Sequence, residues 1–149
     1  MLVSKTKKHF GIKHYNFAVA ATVAIFGGAV FFNGIAARFY EGIRTDAVLL
    51  PLYPDGEDLD GATHRLALFL AQYWGGPHTY NEERGQPMLR ARHMPYRISE
   101  LERDHWLLHM LTAVSEADIS DETRGKFVDY FVKAAEHLRN DQPLRLVNP

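Results

Sequence analysis

Apolar residues recur at spacings of three and four along most of this chain, a period typical of amphipathic α-helices. No segment shows the strict alternation that predicts a half-buried β-strand. Four segments carry the helical period, so we expect an all-α fold. Their apolar faces consist of Phe32, Ile35, Ala36, Phe39, Tyr40 and Ile43; of Ala62, Leu66, Phe69, Leu70 and Tyr73; of Trp106, Leu107, Met110, Leu111 and Val114; and of Phe127, Val128, Tyr130, Phe131, Ala134, Ala135 and Leu138.

Turn and capping residues separate these segments. The run Gly75-Gly76-Pro77 ends the second one, because glycine and proline terminate helices. Ser99 and Glu102 have the spacing of a capping box and predict the start of the third. Asp46 predicts the cap of a further short helix that reaches about Leu50, where the following proline limits it.

Residues 78–96 have no sustained period and contain Gly85, Pro87 and Pro95. We expect a long loop there, with one short helix before Pro95. A loop of this length inside a compact domain is usually functional or wraps around a bound group. Four helices fit a bundle or a globin-like stack, and the long irregular stretch favours the stack, since bundles join neighbouring helices by short connections.

The composition excludes several kinds of site. A chain of 149 residues predicts one domain, and a net charge of -1 favours neither nucleic acid nor an acidic membrane surface as partner. The absence of cysteine excludes disulfides, zinc–thiolate sites, iron–sulfur clusters and thiol nucleophiles. Metal chemistry is therefore left to carboxylates and the eight histidines.

The N-terminal region permits two interpretations. Lysines at positions 5, 7, 8 and 13 precede a stretch, residues 14–37, without any charged side chain. A helix of that length would extend roughly 36 Å, enough to cross a bilayer, and basic residues before it fit a signal anchor. Alternatively, residues 17–32 contain a buried helix, with breaks at Gly27-Gly28 and at Asn33-Gly34.

Two runs are specific enough to suggest a family: Tyr73-Trp74-Gly75-Gly76-Pro77, and Arg92-His93 followed by Pro95-Tyr96. They stand in a longer series made up of Tyr53-Pro54, Glu57-Asp58-Leu59, Gly61-Ala62, Arg65-Leu66, Phe69-Leu70, Gln72, Tyr80, Glu83-Arg84-Gly85, Pro87, Leu89-Arg90, Ile98, Glu102-Arg103-Asp104, Trp106-Leu107 and His109-Met110. This series resembles the truncated haemoglobins of group II, the O type, over roughly residues 27–140.

The resemblance implies a truncated globin fold, a two-over-two helical sandwich, with an N-terminal extension. We expect a basic and apolar extension at 1–21, the globin domain at 22–142 and a tail at 143–149. The implied cofactor is haem b, with His93 as the single protein ligand to the iron. A neutral imidazole coordinates haem iron well and leaves the sixth position open. Pro95 turns the chain away just after this ligand.

The resemblance also assigns residues to the two sides and the edge of the haem. Tyr40, Tyr53 and Trp106 match the polar residues of the distal side, the side away from His93. Ala62 stands where larger globins often carry a distal histidine, and Leu66 lies one turn further along. Without the resemblance, such aromatic residues at helical spacing are more typical of core packing.

Further residues are expected to hold the porphyrin. Arginine pairs well with carboxylates, so Arg92 and Arg65, with Tyr80, are candidates to meet the propionates. Phe69, Leu89, Tyr96 and Met110 are expected to contact the ring. The alternative for the arginines is solvated surface charge.

His105 and His109 lie four residues apart and could hold a metal together on one helix. No third ligand is placed near them. We therefore expect partly exposed surface histidines.

The chain departs from the family pattern at three places. Gly56 resembles a one-residue insertion that could change the aim of the Tyr53 hydroxyl, and Gln86 replaces a histidine common in the family. Residues 22–32 are uncharged where the family's first helix is amphipathic. We expect a cytoplasmic globin, the alternative being a membrane anchor formed by residues 15–32.

Three functions remain open: an oxygen carrier or store, a haem redox enzyme that oxidises nitric oxide or reduces peroxide, and a membrane-anchored gas sensor. Oxygen, nitric oxide, carbon monoxide and peroxide are the expected ligands. A carrier must release its ligand, whereas Tyr53 and Trp106 should hold it, which favours reactive chemistry or sensing.

No flavin or nicotinamide site is encoded, so any reductase is a separate protein. Group II relatives often form homodimers, although this chain shows no interface signature.

Overall fold

The computed structural model describes residues 28–141, which form α-helices with short connections and no strand. The elements are α1 (Ala29–Ile43), a 3₁₀ helix (Leu50–Leu52), α2 (Asp60–Tyr73), α3 (Thr79–Arg84), α4 (Leu89–His93), α5 (Glu100–Ser115) and α6 (Asp121–His137). The all-α prediction is therefore confirmed. The predicted domain limits at 22 and 142 lie outside the described residues.

The first helix is longer than the sequence predicted. It begins after Gly28, which has φ 41°, while Gly27 and the rest of the expected break lie outside the described residues. The predicted break at Asn33-Gly34 is wrong, because α1 continues through both residues. An internal glycine costs a helix only about 1 kcal/mol, and the buried face formed by Phe32, Ile35 and Phe39 outweighs that cost.

The same helix bears on the expected membrane anchor, residues 15–32. Phe32 is buried and meets the edge of Phe127, with ring centroids 6.1 Å apart. The end of that segment therefore belongs to the helical core, while the rest lies outside the described residues. Between residues 28 and 141, no helix is long and apolar enough to cross a membrane.

Asp46 caps the turn after α1, whereas the short 3₁₀ helix that follows has Leu49 as its N-cap and no side-chain cap. Asp46 Oδ1 accepts hydrogen bonds from the amides of Val48 (2.8 Å) and Leu49 (3.0 Å). The helical turn does not stop before Pro51, however, because the 3₁₀ helix includes it. A proline at the start of a helical turn loses no hydrogen bond, since the amides there have no partner within the turn.

Glycines end α2 as predicted. Gly75 adopts φ 97°, a conformation that side chains disfavour. The amide of Gly76 donates to the carbonyl of Ala71 at 2.7 Å, and a Cβ atom at Gly76 would lie 2.7 Å from that same oxygen. The chain can therefore fold back this tightly only with glycine at Gly76.

Residues 78–96 contain two short helices where we expected one. The expected helix is α4, which ends at His93, two residues before Pro95. The additional helix, α3, is fastened to α2 by two hydrogen bonds between Gln72 and Asn81, at 2.9 and 3.1 Å. A six-residue helix shows too little periodicity to be recognised, and its stability depends on such contacts.

The core lies where α1 packs against α2 and α5, and where α5 packs against α6. The predicted capping box starts α5: the amide of Ser99 donates to Glu102 Oε2 at 2.8 Å, and Ser99 Oγ accepts from the amide of Leu101. This packing brings α1 and α5, which carry Tyr40 and Trp106, side by side. The largest fully buried side chains are Phe32, Ile35, Phe39, Ile43, Leu59, Leu70, Met110, Val114 and Phe127.

Candidate functional site

His93 occupies the last position of α4 and is half-buried. Its Nδ1 lies 2.6 Å from the carbonyl oxygen of Leu89. A carbonyl oxygen can only accept, so Nδ1 carries the hydrogen, and in the tautomer that this bond selects Nε2 is the nitrogen with a lone pair. A ring oriented through one nitrogen, with the other nitrogen available as a donor atom, is the arrangement that metal-binding histidines use.

Asn140 holds the segment around His93 in place. Its Nδ2 donates to the carbonyls of His93 (3.1 Å) and Tyr96 (2.7 Å). Its Oδ1 accepts from the amide of Ile98 at 2.8 Å. Sequence reasoning missed this residue, because a lone asparagine after a helix carries no motif that identifies partners so distant in sequence.

Arg92 fastens the chain that leads into α4. Its Nε donates to the carbonyl of Pro87 at 2.7 Å, and its Nη2 donates to those of Arg84 (2.8 Å) and Gln86 (3.1 Å). The guanidinium carbon also lies 6.0 Å from the centre of the Tyr80 ring. Arg92 therefore already has a structural role, and its expected contact with a propionate stays a prediction.

The predicted site residues on α2 are spread along the whole helix. Ala62 is buried, while Leu66 and Phe69 are partly buried against the core. Phe69 meets the buried Tyr80 edge-on at 5.8 Å. Arg65 is partly buried, and its positive charge opposes the upward shift of the Tyr40 pKa, so its guanidinium lies near the tyrosine side of the site.

Tyr40 and Tyr53 form a pair, with their ring centroids 5.5 Å apart and their planes at 84°. Burial raises the pKa of Tyr40 well above its ordinary value; the neighbouring Tyr53 raises it further, while Arg65 opposes the shift. Burial also raises the pKa of Tyr53, against a smaller opposing effect of its hydrogen bond with Tyr40. Both side chains are neutral phenols at physiological pH, as an unburied tyrosine also is. The hydrogen bond between them uses one phenol hydrogen and leaves the other available to donate.

Trp106 lies on α5, close to this pair. Its ring centroid is 5.3 Å from that of Phe39 and 5.8 Å from that of Phe131. Phe39 in turn meets Tyr40 at 4.9 Å. The structure thus brings the three predicted distal residues, Tyr40, Tyr53 and Trp106, into one aromatic cluster.

The remaining predicted contacts are more scattered. Met110 is wholly buried in the core, and Tyr96 is half-buried with its carbonyl bound to Asn140. Leu89 lines a groove of about 1040 Å³ between α4, α6 and the end of α2. The groove's lining does not include His93, so the groove itself does not identify the site.

His105 and His109 are partly exposed, as expected, but they are not free surface histidines. His105 Nδ1 lies 2.9 Å, and His109 Nε2 2.6 Å, from Oδ2 of the buried Asp46. Their sequence spacing suggested a metal, yet their shared partner is a carboxylate. Within residues 28–141 no three histidine or acidic side chains are arranged to hold a metal ion.

Comparison with known proteins agrees with this geometry. The bacterial-like globin family matches residues 24–140. Group 2 truncated hemoglobin YjbI of Bacillus subtilis is 34% identical over 113 residues, which cover 76% of this chain and 84% of the relative. The chain belongs to the group II truncated haemoglobins.

Solved structures of such globins resemble this truncated haemoglobin closely. A thermostable hemoglobin of Thermobifida fusca has 46% identity and a TM-score of 0.77, over 87% of this chain and 98% of that one. A hemoglobin of Chloroflexus aurantiacus has 42% identity and a TM-score of 0.74, over 79% of this chain and 96% of that one. The group II truncated hemoglobin of Bacillus anthracis has 31% identity and a TM-score of 0.73, over 79% of this chain and 94% of that one. The expected truncated globin fold is confirmed.

Membership of this family implies a bacterial-type globin that binds haem and oxygen. The residues present fit the cofactor: an imidazole with an available Nε2, an arginine near the tyrosine side of the site, and neutral phenols. When bound, haem supplies an iron with an open coordination position for a diatomic ligand.

Proposed function

We propose that this truncated haemoglobin binds haem b through His93 and binds oxygen on the side of Tyr40, Tyr53 and Trp106. The hydrogen bond from His93 Nδ1 to the carbonyl of Leu89 carries the proposal, because it leaves Nε2 as the donor atom for iron. The other ligands, nitric oxide, carbon monoxide and peroxide, would enter the same side.

The other predicted site residues would orient and enclose the cofactor. Arg65 and Arg92, the latter backed by Tyr80, would hold the propionates, since arginine pairs well with carboxylates. Apolar contacts to the porphyrin exclude water and come from Ala62, Leu66, Phe69, Leu89, Tyr96 and Met110. Exclusion of water strengthens the hydrogen bonds that the distal residues donate.

A second candidate function is redox chemistry, either nitric oxide dioxygenation or peroxide reduction. The observation that favours it is the Tyr40–Tyr53 pair, in which two neutral phenols lie next to each other and one of their hydrogens is available to a ligand. Each hydrogen bond to a ligand of partial negative charge contributes about 1.5–3 kcal/mol, which slows release. Such an enzyme needs electrons from a separate reductase.

For localisation, we propose a cytoplasmic globin with its domain at residues 22–142. The packing of Phe32 in the core supports this, since it removes the end of segment 15–32 from a membrane anchor. Recovery of the intact chain in the membrane fraction of lysed cells would contradict it and favour the anchored gas sensor.

The haem ligand is tested by an optical spectrum of the purified full chain with haem added. We expect a Soret band that shifts with carbon monoxide in the ferrous protein. His93→Ala should lose the spectrum of histidine-ligated haem, and added imidazole should restore it, because the small molecule replaces the missing donor.

The matched control is His64→Ala, which removes a solvent-exposed histidine from α2 and should leave the spectrum unchanged. An unaltered spectrum in His93→Ala would assign the ligand to another residue. If the wild-type chain formed no Soret band, the whole proposal would be wrong.

A further inference from the structure

Asp46 is a buried acid with four hydrogen-bond donors around it. It is only 8% exposed, yet it lies in the connection between α1 and the 3₁₀ helix, where acids are usually solvated. Its Oδ1 accepts from two backbone amides, and its Oδ2 accepts from His105 and His109. We call Asp46, His105 and His109 the Asp46 cluster.

The ionised carboxylate is the stable form in this cluster. Burial raises the pKa of Asp46, but the hydrogen bonds from His105 and His109, and then from the amides of Leu49 and Val48, outweigh it. The pKa of this carboxyl therefore lies well below its ordinary value. A buried carboxylate satisfied on both oxygens fixes the groups that satisfy it.

On one side, the cluster is connected to Tyr53 by consecutive backbone hydrogen bonds. The amide of Leu50 donates to the carbonyl of Asp46 at 2.9 Å, and the amide of Tyr53 donates to the carbonyl of Leu50 at 3.1 Å. Displacement of Asp46 would therefore move the 3₁₀ helix and the tyrosine that follows it.

On the other side, the cluster is connected to Trp106. His105 precedes this residue on α5, and His109 lies one turn later on the same helix. The ring of His109 also lies against α1, because a Cβ atom added at Gly42 would be 2.3 Å from its Nδ1. Glycine at Gly42 thus permits the close approach of α1 and α5 that the cluster fastens.

We propose that Asp46, His105 and His109 are positioning residues that set the placement of Trp106 relative to the Tyr40–Tyr53 pair. The cluster touches none of these three aromatic side chains through a hydrogen bond. It acts through the helices that carry them, and so determines how many distal donors reach a bound ligand. The inference rests on the proposed function, since it assigns this placement to the oxygen-binding side of the haem.

The test compares variants that weaken or remove a hydrogen bond of the Asp46 cluster with a variant that preserves the bond. Asp46→Asn weakens the acceptor, His109→Leu removes a donor, and His109→Gln keeps an N–H near the position of Nε2. In the full chain with haem, we expect Asp46→Asn and His109→Leu to raise the oxygen dissociation rate about ten-fold, as for the loss of one distal hydrogen bond. His109→Gln should stay within about two-fold of wild type, since it retains the hydrogen bond.

Two spectroscopic readouts separate positioning from general stability. The Trp106 indole N–H resonance and the carbon monoxide stretching frequency should both shift in Asp46→Asn and His109→Leu, and stay in place in His109→Gln. Asp104→Asn is the matched control, because Asp104 is an exposed acid beside His105 whose partner is Arg103. It should change neither readout.

The outcome of Tyr53→Phe distinguishes the two proposals. If Tyr53→Phe accelerates oxygen release while Asp46→Asn and His109→Leu leave rate and spectra at wild-type values, the cluster is a structural feature only and the inference is wrong. If Tyr53→Phe also leaves the rate unchanged, the proposed distal role fails. Should Asp46→Asn not fold, the comparison of His109→Leu with His109→Gln decides the question by itself.

Discussion

Tyr40 and Tyr53 illustrate how packing removes two polar side chains from solvent. Their rings pack edge to face, and burial raises the pKa of both phenols further above physiological pH. A protonated phenol in a water-poor site can donate to a ligand, whereas a phenolate could only accept. The same two residues in water would have solvent as their partner.

At this scale we predict that Tyr53→Phe raises the oxygen dissociation rate about ten-fold or more, because one hydrogen bond to the ligand is lost. Stopped-flow mixing of the oxygenated protein with an oxygen scavenger measures it. Tyr73→Phe is the control, since this side chain is 48% exposed and packs against Tyr130. A wild-type protein that already releases oxygen rapidly would contradict retention and favour a carrier.

Individual residues also differ in how far the sequence could identify them. The role of His93 follows from the run Arg92-His93 and Pro95-Tyr96, which is local and resembles a known family. Asp46 and Asn140 could not be found this way, because Asp46 bonds histidines 59 and 63 residues away, and Asn140 bonds carbonyls 44 and 47 residues away. Neither pairing leaves a spacing that a single sequence reveals.

Among the elements, α4 depends most on its surroundings. A five-residue helix cannot be stable by itself, since helix nucleation is costly. Two side chains provide the missing stability. Arg92, within the helix, donates to carbonyls that precede it, and Asn140 donates to the carbonyls of His93 and Tyr96. These contacts hold the backbone that carries His93.

We predict that Asn140→Ala accelerates haem loss about ten-fold or more. The variant removes two donated hydrogen bonds and one accepted bond, worth together about 2 kcal/mol or more. Transfer of haem to an excess of an apoglobin acceptor measures the rate. Asn140→Asp keeps an acceptor for the amide of Ile98 but turns a carboxylate oxygen towards the carbonyls of His93 and Tyr96, so it should lose haem at least as fast as the alanine variant. Equal rates in all three proteins would show that α4 does not need this contact.

Some helix boundaries could be predicted from the sequence, and others could not. Capping and turn residues determined the start of α5 at Ser99 and the end of α2 at Gly75-Gly76, because these signals act within one turn. The continuation of α1 through Asn33-Gly34 was not predictable, since local propensity disfavours it and packing of the buried face decides it. The extra helix α3 depends equally on contacts with α2.

Over the whole molecule, Phe39 lies at the centre of the core and of the candidate site. It is wholly buried, and its ring meets both Tyr40 and Trp106. The packing that stabilises the fold therefore also places two of the three expected distal residues.

We predict that Phe39→Ala lowers the free energy of unfolding by about 3–5 kcal/mol, because a buried ring is lost and a cavity remains. This is a large part of the stability typical of a domain. Urea denaturation followed by circular dichroism measures it. Val30→Ala, at a position 74% exposed, should change the stability by less than about 0.5 kcal/mol. A similar small effect for both variants would contradict the central place of Phe39.

The sequence by itself determined the helical class, the main helices and the family, because apolar period, caps and the Trp-Gly-Gly-Pro and Arg-His runs are local properties of the chain. It also singled out His93, whose role as haem ligand stays a prediction. Only the tertiary structure decided how α4 is held, how Tyr40, Tyr53 and Trp106 meet, and that Asp46 joins His105 and His109. These features arise from contacts between residues far apart in the chain, and no spacing within the sequence encodes them.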